Sequence, residues 1–121
     1  MSPVARFALV AIDTDIPEEL ARFYADVTGW QIEPHDDSRW IQLTSDSGAT
    51  IAFQRVEDHN PPEWPGSAHP QQLHIDFEVD DLDAGEDAVL ALGARKADYQ
   101  PGTSFRVYLD PSGHPFCLVQ S

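Results

Sequence analysis

Residues 73–80 read Leu-His-Ile-Asp-Phe-Glu-Val-Asp. This alternation sends Ile75, Phe77 and Val79 to one side of a strand and His74, Asp76 and Glu78 to the other. The apolar set suits packing on a helix, which leaves the polar set on an open sheet face. Asp80 or Asp81 then caps a helix that closes with Leu92 and Gly93. Extended chain resumes at Ala94, and two more strands, Phe105 to Leu109 and Phe116 to Val119, flank the turn Asp110-Pro111-Ser112-Gly113. The order is strand, helix, strand, strand, strand.

The first half of the chain has the same order. Phe7 to Ile12 is a bulky apolar run, and Asp15, Ile16 and Pro17 start a helix with proline pre-set in its first turn. Leu20, Phe23, Tyr24 and Val27 form one apolar helix face, and Gly29 supplies the stop. Three extended stretches follow, Trp30 to Glu33, Trp40 to Thr44 and Thr50 to Val56, the last two separated by Ser45-Asp46-Ser47-Gly48. Asp15 and Asp81 stand 66 apart, Gly29 and Gly93 64, Gly48 and Gly113 65. Landmarks repeating at a nearly constant interval predict a duplicated βαβββ unit. The expectation is a single α+β domain over residues 1–121, with module 1 at about 4–56, a linking loop at 57–72 and module 2 at about 73–121.

Composition narrows the partners. Seven Lys or Arg against 21 Asp or Glu leave a formal charge of −14, with −7 in each half. Such a surface repels phosphate backbones and anionic lipid heads, so neither nucleic acid nor membrane is expected as a partner. One cysteine, Cys117, cannot make an internal disulfide, and Phe7 to Ile12 is too short for a signal core or a membrane span. Cytoplasmic residence is the default expectation. Gly-rich phosphate loops, GxSxG, CxxC and HExxH are all missing from the chain.

The same alternation separates Trp40 and Gln42 from Ile41 and Leu43, and Ala52 and Gln54 from Ile51 and Phe53. It separates Arg106 and Tyr108 from Phe105, Val107 and Leu109, and Cys117 and Val119 from Phe116 and Leu118. One face therefore collects Trp40, Gln42, Ala52, Gln54, His74, Asp76, Arg106, Tyr108 and Cys117. Aromatic and apolar walls with a few convergent polar groups describe a small-molecule pocket. A sheet face covered by another subunit or by the 57–72 loop has the same composition. That loop carries four prolines and Trp64, which either binds a ligand or packs over a sheet edge.

Arg22-Phe23-Tyr24 before Thr28-Gly29-Trp30, then Leu73 to Asp80, then Leu109-Asp110-Pro111-Ser112-Gly113, resemble the glyoxalase, bleomycin-resistance and dioxygenase group of the vicinal oxygen chelate superfamily. The resemblance spans essentially the whole chain. It implies two βαβββ modules whose sheets curl into a cup, often completed by pairing modules across a homodimer. In the metalloenzymes of that family four His, Glu or Gln side chains, two from each module, hold a divalent cation. Carried over, the positions fall near Ala8 (Phe7 if the register slips by one), at Ala52, at His74 and at Cys117.

Only His74 keeps that ligand chemistry, because alanine offers no donor. No cofactor is therefore expected, and His74 stands as a remnant ligand position. Gln54 from a shifted register, or His59 and His69 from the loop, are the substitutes the sequence offers. His74 also has a purely structural use, hydrogen bonding to Asp76 or to a cross-strand neighbour. Cys117 reads as a small hydrophobe.

Three functions compete. The first is a metal-free binding protein of the bleomycin-resistance type, which sequesters a hydrophobic or aromatic ligand, with Asp76 and Glu78 favouring a cationic one. Trp40, Trp64 and Tyr108 would stack on it, and Gln54, His74, Asp76 and Arg106 would orient it. The second is a lyase, isomerase or dioxygenase in which His74 and Asp76 transfer protons and Arg106 stabilises an enolate, with or without zinc, nickel, manganese or iron. The third is an interaction module whose cup is filled by its own loop or by a partner chain.

Overall fold

The computed structural model describes Pro3 and residues 6–120. Residues 4 and 5, where module 1 was expected to begin, and Ser121 lie outside the described residues. The chain divides into two compact units, Met1–His59 and Asn60–Ser121.

Unit 1 holds β1 (Val10–Thr14), α1 (Pro17–Thr28), β2 (Gln31–Ile32), β3 (Trp40–Thr44) and β4 (Thr50–Arg55). Unit 2 repeats the order with β5 (Ile75–Val79), α2 (Leu82–Ala91), β6 (Arg95–Lys96), β7 (Phe105–Leu109) and β8 (Pro115–Gln120). Each unit forms a four-stranded sheet, ordered β1-β4-β3-β2 and β5-β8-β7-β6. The outer β1 and β5 run parallel to β4 and β8, and the remaining pairs are antiparallel. The expected α+β fold of two βαβββ modules is the fold observed. Starts at Val10 and Ile75, Pro17 and Leu82, Trp40 and Phe105, and Thr50 and Pro115 fix the internal repeat at 65 residues. Among the described residues no helix is long and apolar enough to cross a membrane.

In unit 1, α1 buries Leu20, Phe23 and Tyr24 on the sheet face that carries Ile12, Ile41, Leu43, Ile51 and Phe53. Tyr24 stacks on Phe53 with ring centroids 5.8 Å apart. Burying each of these large side chains is worth about 1.5–3 kcal/mol, so Leu20→Ala alone removes a substantial part of the unit's core. The helix does not start on an Asp15 cap. Ile16 holds the cap position without a side-chain bond, and its N–H donates to the Thr14 hydroxyl at 3.0 Å. Pro17 brings no N–H, so this end of the helix has one donor fewer to satisfy. Gly29 ends α1 at φ 76, a left-handed conformation that costs glycine nothing, and its N–H reaches the Ala25 carbonyl at 2.7 Å.

In unit 2, Asp81 caps α2 by accepting the Asp83 N–H at 3.0 Å, as the sequence indicated. Gly85 lets the helix sit close to Val79 and Leu118, since a Cβ there would lie 3.1 Å from Leu118. The turn before β8 is fixed by Asp110, whose carboxylate accepts the N–H groups of Ser112 at 2.8 Å and His114 at 3.0 Å. Residues 60–72 of the linking loop belong to unit 2. There Glu63 and Pro70 bridge, and Pro61 lies against Gly113.

Candidate functional site

Strand register decides which side chains share a face, because directly paired residues point the same way. In unit 1, Ala52 pairs with Ala11 and Gln42, and Gln54 pairs with Asp13 and Trp40. Trp40, Gln42, Ala52 and Gln54 thus lie together on the face away from α1, as their alternation indicated. Trp40 is 40% exposed, and its indole Nε1 donates to the Gln42 side-chain oxygen at 2.9 Å. Gln42 therefore orients an aromatic surface on an open face. Ala52, the cross-strand partner of Gln42 on that face, is fully buried.

In unit 2, Cys117 pairs with Asp76 on one side and Val107 on the other, and Val119 pairs with Phe105. The face away from α2 therefore carries His74, Asp76, Cys117, Phe105 and Val107. Tyr108 pairs with Phe116, and Arg106 with Leu118, which places both on the α2 side. This corrects the face assigned to Arg106 and Tyr108 and, with them, to Phe105 and Val107. The Tyr108 hydroxyl donates to Glu86 Oε1 at 2.9 Å. Arg106 donates to Asp83 Oδ1 at 2.8 Å and approaches Glu86 Oε1 at 3.4 Å, and Lys96 meets the same Glu86 oxygen at 2.9 Å. Burial, reinforced by Glu86, pushes the Tyr108 phenol well above the ordinary tyrosine range. The Lys96 ammonium and the Tyr108 hydroxyl hold the Glu86 carboxyl below its ordinary value, against a smaller effect of burial.

Trp64 packs on a cluster of Ala97, Val107 and Cys117, beside Phe105 and Val119, and its ring lies 5.7 Å from that of Tyr99. The loop thus covers part of the open face of the second sheet. Ala97 and Tyr99 were absent from the sequence-based site, since nothing in a two-residue strand and its flank announces a contact with a distant loop. His69 pairs instead with Glu63 at 3.3 Å on the exposed loop.

Three polar groups converge on this face. His74 Nε2 lies 3.2 Å from Asp76 Oδ1, and ligand atoms of His74, Asp76 and Cys117 all fall within 4.8 Å of one another. Cys117 is buried while His74 and Asp76 are exposed. Burial first, and then the charge of Asp76 and the hydrogen bond the thiol donates to it, push the Cys117 thiol up to about 11. A thiol so held is a poor nucleophile at neutral pH.

The 65-residue repeat sets Leu9 opposite His74, where the family resemblance had pointed to Ala8 or Phe7, and Ala52 opposite Cys117. Neither Leu9 nor Ala52 has a side-chain donor atom, so module 1 does not fit its half of a two-module metal centre.

A sequence profile of the glyoxalase-like domain matches residues 9–119. No curated protein sequence matches the chain. Among solved structures, the chain is similar to a glyoxalase/bleomycin resistance protein/dioxygenase family enzyme from Burkholderia phytofirmans. That pair has a TM-score of 0.70 at 19% identity, covering 93% of this chain and 96% of that one. A fosfomycin resistance protein, FosX, from Mesorhizobium loti gives 0.70 at 17% identity, covering 98% and 94%. FosX from Listeria monocytogenes, complexed with Mn(II) and sulfate, gives 0.72 at 13% identity, covering 98% and 92%. At these identities the likeness is one of fold.

Proposed function

This chain belongs to the glyoxalase-like domain family, and on that premise we propose that it binds a small aromatic molecule, neutral or cationic, without the two-module metal centre. The observation that carries the reading is the exchange made on the open face of module 1. The positions that the family resemblance and the 65-residue repeat set against His74 and Cys117 hold Leu9 and Ala52, while Trp40 stands partly exposed with its indole N–H tied to Gln42. An oriented, solvent-facing tryptophan beside small and amide side chains gives area for stacking and a few groups for orientation. Asp13, which shares the face of Trp40 through Gln54, is an exposed carboxylate, and with the charge of −14 it favours a cation over an anion.

Tryptophan emission, read against a panel of cationic, neutral and anionic aromatic compounds in the presence of EDTA, tests the reading. The expected result is quenching by cationic members at micromolar concentration, lost in Trp40→Ala. Silence across the panel, or preference for the anionic members, overturns it.

The His74–Asp76 pair at 3.2 Å favours a second reading, proton transfer by a lyase or isomerase. Arg106, engaged with α2, is not placed to stabilise an enolate on that face. Turnover of methylglyoxal hemithioacetal that disappears in His74→Ala would make this reading lead.

A further inference from the structure

We propose that the open face of the second sheet is a binding site for a neutral bicyclic aromatic ring, that the chain fills it with its own Trp64, and that free aromatic molecules of indole size compete with that side chain. The inference goes beyond ligand binding at Trp40 and does not rest on it. At the repeat interval of 65 residues, Trp40, Gln42, Ala52 and Gln54 correspond to Phe105, Val107, Cys117 and Val119. In module 1 these positions present a partly exposed indole and two carboxamides. In module 2 they carry neither amide nor charge, and Trp64 packs on the cluster they form with Ala97.

The lining fixes the class of ring. Ala97, Val107 and Cys117 form a buried floor, flanked by Phe105 and Val119. Such side chains accept a flat ring and offer nothing to a charge, which would lose its water there without gaining a partner. Burial first, and then Asp76, push the Cys117 thiol up to about 11, so the floor itself stays uncharged at neutral pH. Asp76, across from Cys117, is exposed and keeps its water. The indole of Trp64 sets the size of the ligand. Its ring is tilted at 40° to that of Tyr99 with centroids 5.7 Å apart, and Tyr99 supplies a second aromatic surface.

The loop can release the ring and keep its own shape. Of residues 63–70, Trp64 is the one that is not exposed, so a single side chain carries the burial of this stretch. The bonds nearby run within the loop. The Glu63 N–H donates to the His69 carbonyl at 2.6 Å, and the His69 ring meets the Glu63 carboxylate at 3.3 Å. Neither bond involves the Trp64 side chain. A tethered ring acts at an effective concentration in the millimolar range. A free ring must reach that range to displace Trp64 from the wild-type chain, and it binds at lower concentration once the side chain is removed. Trp64 thus closes module 2 to dilute aromatic compounds, while the equivalent face of module 1 stays open.

Cys117, the one thiol of the chain, reports on the floor without any assay of activity. The rate of its alkylation by a neutral maleimide would be measured in a Trp40→Ala background, so that failure here and failure of binding at Trp40 are distinguishable. Trp64→Ala should speed the reaction by about tenfold or more, since each unit by which exposure lowers the thiol pKa raises the thiolate about tenfold. Millimolar indole should slow it again, and circular dichroism shows whether the variant is folded. The wild-type chain supplies a second measurement, which decides alone if Trp64→Ala does not fold. Glutamyl endopeptidase should cut the Glu63–Trp64 bond faster in millimolar indole than without it, because the displaced loop presents that bond. Equal alkylation rates with and without Trp64 in a folded variant, no protection by indole, or cleavage that indole leaves unchanged overturns the proposal. So does equal protection by N-methylquinolinium, a bicyclic ring of like size that carries a charge.

Discussion

Replacing Tyr108 by phenylalanine should destabilise the protein and leave ligand binding unchanged. Tyr108 is fully buried, and its hydroxyl gives a 2.9 Å hydrogen bond to the Glu86 carboxylate. A hydrogen bond to a charged group is worth about 1.5–3 kcal/mol. The lower end applies, because Glu86 keeps Lys96 at 2.9 Å and Arg106 at 3.4 Å and is not orphaned. The ring remains to stack on Phe116, 5.6 Å away, so no cavity forms. The expected loss is about 1.5 kcal/mol, or about 6 °C in Tm at about 4 °C per kcal/mol for a chain of this size. Urea denaturation should show a lower midpoint at constant slope. Glu86→Gln in the Tyr108→Phe background should cost less than in wild type, since the two groups are coupled. A stability change below about 0.5 kcal/mol, or weakened ligand binding at unchanged stability, would refute the placement of Tyr108 against α2.

Glu86 also predicts a pH dependence. Its folded pKa lies below the ordinary value of 4.5, chiefly through Lys96. The stabilisation is therefore full above that value and is lost as pH falls from there through the folded pKa. Glu86→Gln should flatten the acid limb of the stability curve, and an unchanged limb in urea titrations would contradict this. Gly113→Ala should cost at least about 1 kcal/mol. Its φ is 87, and the new Cβ would lie 2.7 Å from Pro61. Wild-type thermal stability in that variant would show that the Pro61 contact yields freely.

Much of the fold was legible because two periods coincided. The alternation at residues 73–80 fixed β5, and the glycines at positions 29, 48, 93 and 113 marked equivalent stops and turns, all four with positive φ. Legibility failed in β7. Phe105-Arg106-Val107-Tyr108-Leu109 is covered on both sides, by α2 and by the Trp64 loop, so hydrophobicity does not say which face is the core. Tyr108 behaves there as a core aromatic with a polar tip, and Arg106 reaches the acidic side of α2. Only pairing with Phe116 and Leu118 resolves the ambiguity.

The candidate site divides in the same way. Trp40 beside Gln42 follows from a two-residue period within one strand. The meeting of Asp76 with Cys117 depends on the parallel register of β5 and β8, whose starts lie 40 residues apart, and no local pattern encodes that register. Aligning Asp15 with Asp81 gives an offset of 66 and sets Ala8 against His74, whereas the strand and helix starts repeat at 65 and set Leu9 there, since Asp15 does not cap its helix.

Calorimetric titration tests the central claim most directly. The tightest cationic aromatic compound of the fluorescence panel would be titrated into EDTA-treated protein, then again with manganese present. The account predicts micromolar binding in EDTA, the same Kd with manganese, and loss of binding in Trp40→Ala. Binding that appears only with manganese, or that survives the loss of Trp40, would contradict it.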